Sequence, residues 1–154
     1  IKMFQEFLPI LAQKNILKTL HVVGPRDERW SKEEESLLAR LLPGNIINRH
    51  GAMEPTEISA LLSTCGFALL SQSPQALPKS STFMAFACHG CGIVSPFSSE
   101  ETPVSYFTHP TALITSDRDL EDTLNMRSER LIDWYNSTAD WNKIAARMEQ
   151  FLED

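Results

Sequence analysis

The chain has 154 residues, 42% of them hydrophobic and 22% charged, which is the composition of an ordinary globular domain. Its formal net charge of −6 argues against a nucleic-acid partner, although a local positive site could still hold one phosphate. No apolar run approaches the roughly 20 residues of a membrane span. The three cysteines, Cys65, Cys88 and Cys91, are too few for a disulfide scaffold and favour a reducing, cytoplasmic location.

Hydrophobic periodicity and turn residues predict helices and strands that alternate along the chain. The predicted strands are Leu17 to Val23, Asn45 to Asn48, Gly66 to Leu70, Cys91 to Val94 and Thr111 to Thr115. The predicted helices are Ile1 to Lys14, one from Ser31 that ends at Pro43-Gly44, one that starts at Thr56 or at Glu54-Pro55 and runs through Leu62, Thr82 to His89, one capped by Asp117 or Asp119, and a tail from about Arg127 to Leu152. Phe97 to Pro110 is predicted to be irregular.

Several residues predict where helices end or bend. Pro9 interrupts the first helix, and Ser31 with Glu34 three residues later forms a capping-box pattern. Gly90 is a natural left-handed helix stop. The last helix is predicted to break near Asn136-Ser137, with the aromatic residues Trp134, Tyr135 and Trp141 packed in the core.

Repeating strand–helix units separated by short turns predict an α/β fold with a doubly wound, mostly parallel, Rossmann-like sheet and helices on both faces. We expect one domain over residues 1–154, with residues 127–154 as a closing helical tail. The first helix starts without a cap, so we also expect further residues upstream of Ile1.

The stretch Lys79-Ser80-Ser81-Thr82 places a cation and three hydroxyls at the start of an apolar helix. A helix start offers unpaired backbone N–H groups and the positive end of the helix dipole, which together suit a phosphate. The same residues also satisfy the requirements of a plain N-cap. The sequence therefore predicts either a phosphate site or a cap at this position.

Cys88-His89-Gly90-Cys91 raises the question of a metal or redox site. A structural zinc site needs four ligands, and a reactive thiol is favoured at the start of a helix rather than at its end. We therefore predict no metal here and expect both thiols to be packed in the core. His89 either touches a ligand or merely closes the helix.

Four groups of segments carry a resemblance to a known family. They are Leu20 to Pro25; Ile46 to Met53 with Glu57 to Leu62; Ala68 to Ser71 with Lys79 to Gly90 and Gly92 to Ser95; and Trp134-Tyr135 with Trp141 to Ala145. In their order and spacing they resemble the C-terminal half of B-type glycosyltransferases, which use nucleotide-sugar donors. The resemblance covers nearly the whole chain.

This resemblance implies a domain that binds a UDP-, GDP- or ADP-sugar and needs no further cofactor. The implied diphosphate ligands are Lys79, Ser80, Ser81 and Thr82. The other implied donor contacts are Gly24, Arg26, Gly51, Met53, Glu57 and His89. Arg26 either reaches a phosphate or is a solvated side chain beside Asp27 and Glu28, and Glu57 either bonds a ribose hydroxyl or lies on a solvated helix face.

The resemblance also implies a partner, the N-terminal domain of the same protein. That domain would supply the acceptor site, any general base and any peripheral membrane contact, so these residues alone should be inactive. The family's first C-terminal strand would lie upstream of Ile1.

The sequence departs from the family at a pair of glutamates that many retaining members place around the diphosphate helix. The matching region holds residues such as Leu77 and Ala85 and no carboxylate. The donor sugar and the stereochemical outcome are therefore left open. So are two other functions, a nucleotide-sugar epimerase of the same fold and a non-catalytic nucleotide-binding or protein-interaction module.

Overall fold

A computed structural model of the chain describes residues 2–25, 28–96, 107–108, 128–140 and 142–146. The described residues fall into two compact units, the first ending at Ile58 and the second beginning at Ser59. Both units contain short parallel strands and helices, so the chain is a mixed α/β protein. Within the described ranges, no helix has the length and apolar character needed to cross a bilayer.

The first unit is built around two parallel strands joined by a long helix. Its elements are a 3₁₀ turn Lys2–Phe4, α1 Leu8–Gln13, β1 Leu20–Val22, α2 Glu28–Leu41, a 3₁₀ turn Gly44–Ile46, β2 Ile47–Arg49 and the first half of α3 Pro55–Leu62. Leu20 of β1 lies opposite Ile47 of β2. Parallel strands need a crossover connection, and α2 provides it.

The N-terminal segment differs from its prediction. The expectation of one helix over Ile1 to Lys14 is wrong, because a 3₁₀ turn comes first and α1 starts only at Leu8. Pro9 does not kink a helix; it lies in the first turn of α1, where its missing N–H costs no hydrogen bond. Asn15, with φ of 58°, ends the helix in the left-handed conformation.

The start of α2 also differs from its prediction. The helix begins at Glu28, so the expected N-cap Ser31 lies inside it. The capping pattern at Ser31 and Glu34 is a local signal. It does not stop a helix from extending toward the N-terminus through residues that tolerate helical backbone.

The second unit contains a three-stranded parallel sheet in the order β3-β4-β5. Its elements after α3 are β3 Phe67–Leu69, a 3₁₀ turn Pro74–Lys79, α4 Ser81–Cys88, β4 Gly92–Val94, β5 Phe107–Thr108, α5 at residues 128–134, a π-helical turn Tyr135–Ala139 and α6 at residues 142–146. The prediction that Phe97 to Pro110 is irregular is wrong for β5. Phe107 and Thr108 pair with Ile93 and Val94. This contact is non-local, so no local sequence pattern predicts it.

The closing helical tail breaks later than predicted. Asn136-Ser137 lies within the π-helical turn, and the helix is interrupted at Asp140. An Asp140 carboxylate oxygen accepts hydrogen bonds from the N–H groups of Asn142 at 2.9 Å and Lys143 at 3.2 Å, which caps α6. The strand predicted at Thr111 to Thr115, the helix capped by Asp117 or Asp119, Trp141 and the end of the tail lie outside the described residues.

The core of the second unit forms around α4. Its buried members are Leu70, Leu77, Phe83, Ala87, Ile93 and Leu131, and the half-buried Met84, Phe86, Trp134 and Tyr135 pack against them. The rings of Phe83 and Trp134 lie 5.5 Å apart between centroids, within the range of favourable aromatic pairs. The prediction that Trp134 and Tyr135 belong to the core is confirmed.

The C-terminal end of α4 is closed by a Schellman motif. Gly90 has a φ of 67°, its N–H donates to the Ala87 carbonyl at 3.1 Å, and the Cys91 N–H donates to the Phe86 carbonyl at 3.0 Å. The predicted stop at Gly90 is therefore confirmed. A Cβ atom added at Gly90 would also overlap the side chain of Ile132.

We expect Gly90→Ala to lower the free energy of unfolding by about 2 kcal/mol, because a left-handed conformation costs a residue with a Cβ roughly 1–2 kcal/mol before the overlap is counted. Urea denaturation measures the loss. Gly66→Ala is the matched control, since a Cβ there meets nothing within 4 Å and no positive φ is involved. Equal unfolding free energies for the two variants would contradict this account of the helix end.

Candidate functional site

The direction of α4 follows from the strands that it connects. The chain leaves β3 at Leu69 and enters the parallel strand β4 at Gly92, shortly after α4 ends at Cys88. The C-terminal end of α4 therefore lies toward the amino ends of the strands, and its N-terminal end points back toward their carboxyl ends. Open parallel sheets bind ligands at that carboxyl edge.

Ser80 is the N-cap of α4 and points inward. Its hydroxyl oxygen accepts a hydrogen bond from the Phe83 N–H at 3.0 Å, and only 7% of the residue is exposed. A buried cap oxygen satisfies one of the four N–H groups that a helix start leaves unpaired. The Ser80 hydroxyl is therefore engaged in holding α4.

The other three predicted diphosphate ligands have exposed side chains. Lys79 immediately precedes the cap, and Ser81 and Thr82 are the first two residues of α4. Hence one ammonium group and two hydroxyls lie on the surface around the positive end of the helix. The structure brings these three residues together at one helix start.

Two predicted glycine contacts meet in the first unit. The Gly24 N–H donates to the Gly51 carbonyl at 3.2 Å, directly after the ends of the paired strands β1 and β2. Gly24 has a φ of 138°, which only glycine adopts without strain. The two turns therefore form one backbone-lined edge. Arg26 lies outside the described residues.

The remaining contacts predicted in the first unit are Met53, which is half-buried, and Glu57, which is exposed. The Glu57 carboxylate oxygen accepts a hydrogen bond from the Glu54 N–H at 2.8 Å. A carboxylate three residues into a helix that reaches back to the N-cap N–H is half of a capping box. Glu57 thus stabilises the start of α3, which explains its position without a ligand.

His89 lies at the opposite end of α4 from Lys79, Ser81 and Thr82. It is the C-cap residue, so about 12 Å of helix, at 1.5 Å per residue, separates it from them. The structure does not bring His89 together with the predicted diphosphate ligands. Its imidazole instead meets the Ser59 hydroxyl of α3 at 2.7 Å.

The three cysteines are free thiols in different environments. The expectation that both Cys88 and Cys91 are packed is right for Cys91, which is 0% exposed, and wrong for Cys88, which lies on the surface. The Cys91 thiol donates to the Leu62 carbonyl at 3.4 Å. Burial, with smaller effects from the nearby Cys65 and Cys88, raises the pKa of Cys91 from 9.0 to about 12.

His21 and His50 form a direct contact that no sequence pattern predicts. The Nδ1 atom of His21 lies 3.0 Å from the Nε2 atom of His50, so one imidazole donates an N–H to the other. The pair joins β1 to the turn after β2. Its two residues shortly precede Gly24 and Gly51 in the chain.

An open groove of about 400 Å³ lies elsewhere in the first unit, between α2 and β2. Its lining residues are Glu35, Leu38, Ala39, Gly44, Ile47 and Arg49. None of the predicted donor contacts lines it. Among the described residues, no group of three His, Cys, Asp or Glu side chains could hold a metal ion.

The chain matches no family model, no curated protein and no solved structure.

Two structural features of this region cannot be predicted from the sequence. Ser59 carries no motif, and only the fold brings it to His89, 30 residues away. The distinction between Ser80 and Ser81 was equally hidden, because adjacent serines look alike until one of them is buried as the cap. A capping pattern counted from the first apolar residue, Phe83, could have indicated Ser80.

We expect Ser80→Ala to lower the free energy of unfolding by about 1 kcal/mol, because the Phe83 N–H would lose its buried acceptor. Ser81→Ala is the matched control and should be nearly neutral, since its side chain is exposed. Chemical denaturation of both variants makes the comparison. Equal effects would contradict the assignment of Ser80 as the cap.

We expect Cys91 to make stability depend on alkaline pH. Its pKa of about 12 in the folded chain exceeds the ordinary 9.0, so unfolding releases a proton between those values and the stabilisation declines as pH rises. It is fully present below pH 9 and lost toward pH 12. The unfolding free energies of the wild-type chain and Cys91→Ala are measured across this range. The difference between them should shrink by at most about 1.4 kcal/mol for each pH unit. A constant difference would contradict the assignment.

Proposed function

We propose that the chain is the donor-binding domain of a B-type glycosyltransferase and holds the diphosphate of a nucleotide sugar at the start of α4. The observation that carries the proposal is the surface cluster of Lys79, Ser81 and Thr82 around that helix start. The proposal includes the doubly wound sheet and the N-terminal partner domain implied by the sequence resemblance.

The fold supports the proposal through the direction of α4. Parallel pairing of β3 with β4 turns the N-terminal end of the helix toward the carboxyl edge of the strands. Ser80 contributes by fixing that end from inside, so the ligand need not organise the helix when it binds. A preorganised set of donors stabilises developing charge better than one that must first rearrange.

The chemistry of sugar transfer assigns the largest share of the binding energy to Lys79. The helix dipole contributes only about 0.3–1 kcal/mol at a surface site. A hydrogen bond from a charged group contributes about 1.5–3 kcal/mol. As the sugar leaves, negative charge grows on the diphosphate, and the ammonium group with the Ser81 and Thr82 hydroxyls would offset it.

The sequence resemblance implies further donor contacts in the first unit. In the family that the chain resembles, glycine turns matching those at Gly24 and Gly51 lie beside the donor. Gly24, Gly51, Met53 and Glu57 stay predicted contacts of the donor, and Arg26 stays a predicted contact of a phosphate.

We expect Lys79→Ala to weaken nucleoside diphosphate binding roughly 10- to 100-fold, the loss of one charged hydrogen bond. Isothermal calorimetry of the intact protein with UDP, GDP and ADP in turn measures the dissociation constants. Lys143→Ala, an exposed lysine of α6, is the matched control and should leave them unchanged.

Two results would contradict the proposal. If the wild-type protein and Lys79→Ala bind the nucleotide equally strongly, the diphosphate does not bind at the start of α4. If the intact wild-type protein binds none of the three nucleotides, the proposed donor-binding function is wrong. That result would favour a protein-interaction module.

A further inference from the structure

Ser59 and His89 form a close polar contact on a part of the second unit that the proposed function does not use. Ser59 lies on α3 and His89 caps α4, and the Ser59 Oγ atom is 2.7 Å from the His89 Nε2 atom. Both side chains are half-buried. The contact is therefore short and is still open to solvent on one side.

A second contact decides the direction of this hydrogen bond. The His89 Nδ1 atom lies 2.8 Å from the Ala85 carbonyl oxygen, which can only accept, so Nδ1 carries the proton of the neutral ring. The Nε2 atom then has a free electron pair, and the Ser59 hydroxyl donates to it. The Cys88 sulfur lies 3.0 Å from the same Nδ1 and shares its N–H.

We propose that Ser59 is an activated nucleophile, with His89 as its general base and the Ala85 carbonyl as the group that orients the imidazole. A hydroxyl, a base within hydrogen-bond reach and a third group that holds the base are the three parts of such a site. The substrate class is an activated carboxylic ester.

The covalent step balances within these residues. The Ser59 oxygen attacks the ester carbonyl carbon and forms a new C–O bond, while its proton moves to His89 Nε2. The bond from that carbon to the leaving oxygen then breaks, and the leaving oxygen takes the proton from Nε2, which returns His89 to its neutral form. The products are acylated Ser59 and one alcohol or phenol. Hydrolysis of acylated Ser59 must expel the serine alkoxide, a poorer leaving group than that of an activated ester, so we expect one acyl group per chain rather than turnover.

The site is separate from the proposed diphosphate site. His89 is at the C-terminal end of α4, about 12 Å along the helix from Ser81. Acylation of Ser59 and nucleotide binding at Lys79 can therefore succeed or fail independently.

The test treats the intact protein with p-nitrophenyl acetate and follows acetylation of single serines by peptide mass spectrometry. Ser63 is the internal reference: it lies on the helical turn after Ser59 and is more exposed, but its hydroxyl donates to the Ser59 backbone carbonyl at 2.9 Å and has no imidazole. We expect Ser59 to react at least about 100-fold faster than Ser63, the lower range for a positioned general base. His89→Gln should remove that excess.

Equal rates at Ser59 and Ser63 in the wild-type protein would overturn the proposal, and so would an unchanged Ser59 rate in His89→Gln. Far-UV circular dichroism establishes that the variant keeps its helices.

Discussion

Parallel pairing of β3 with β4 is the constraint on which the second unit depends. Two parallel strands cannot be joined by a tight turn, so the chain must cross from the carboxyl end of one to the amino end of the other. The crossover is α4, and its direction is thereby fixed. The surface chemistry at each end of this helix follows from that direction, with Lys79, Ser81 and Thr82 at one end and His89 at the other.

Both ends of α4 are held by contacts that leave little freedom. Ser80 caps the start from inside the core, and Gly90 closes the end with two backbone hydrogen bonds. Between them, Phe83 and Ala87 are buried against Leu70 and Ile93. The core packing and the contacts at both ends fix α4 in the same position. The exposed polar groups at the start of α4 therefore lie on a rigid support.

The sequence predicted the elements of α4 well because their signals are local. The apolar run from Phe83, the small polar residues before it and Gly90 after it are all readable without tertiary contacts. β5 could not be predicted, because two residues form a strand there only through pairing with Ile93 and Val94. Signals that are local but weak gave boundary errors, as at Ser31, where the capping pattern lies inside α2.

The candidate site was predictable as a set of residue types but not as a geometry. The sequence indicated that a cation and hydroxyls precede a helix, and it could not say which serine turns inward. The resemblance to B-type glycosyltransferases grouped His89 with Lys79 as donor contacts, whereas the helix places them at opposite ends. The contact of Ser59 with His89 joins two helices, and no periodicity or motif within one helix contains that information.

The most direct test of the central claim is hydrogen exchange of the backbone amides in the intact protein, with and without a saturating nucleoside diphosphate. The Ser80 and Phe83 N–H groups already donate within the protein, to the Leu77 carbonyl and the Ser80 hydroxyl. If the start of α4 holds the diphosphate, the amides of Ser81 and Thr82 should therefore exchange more slowly when UDP, GDP or ADP is bound. Bound nucleotide with unchanged exchange at these two amides would contradict the account.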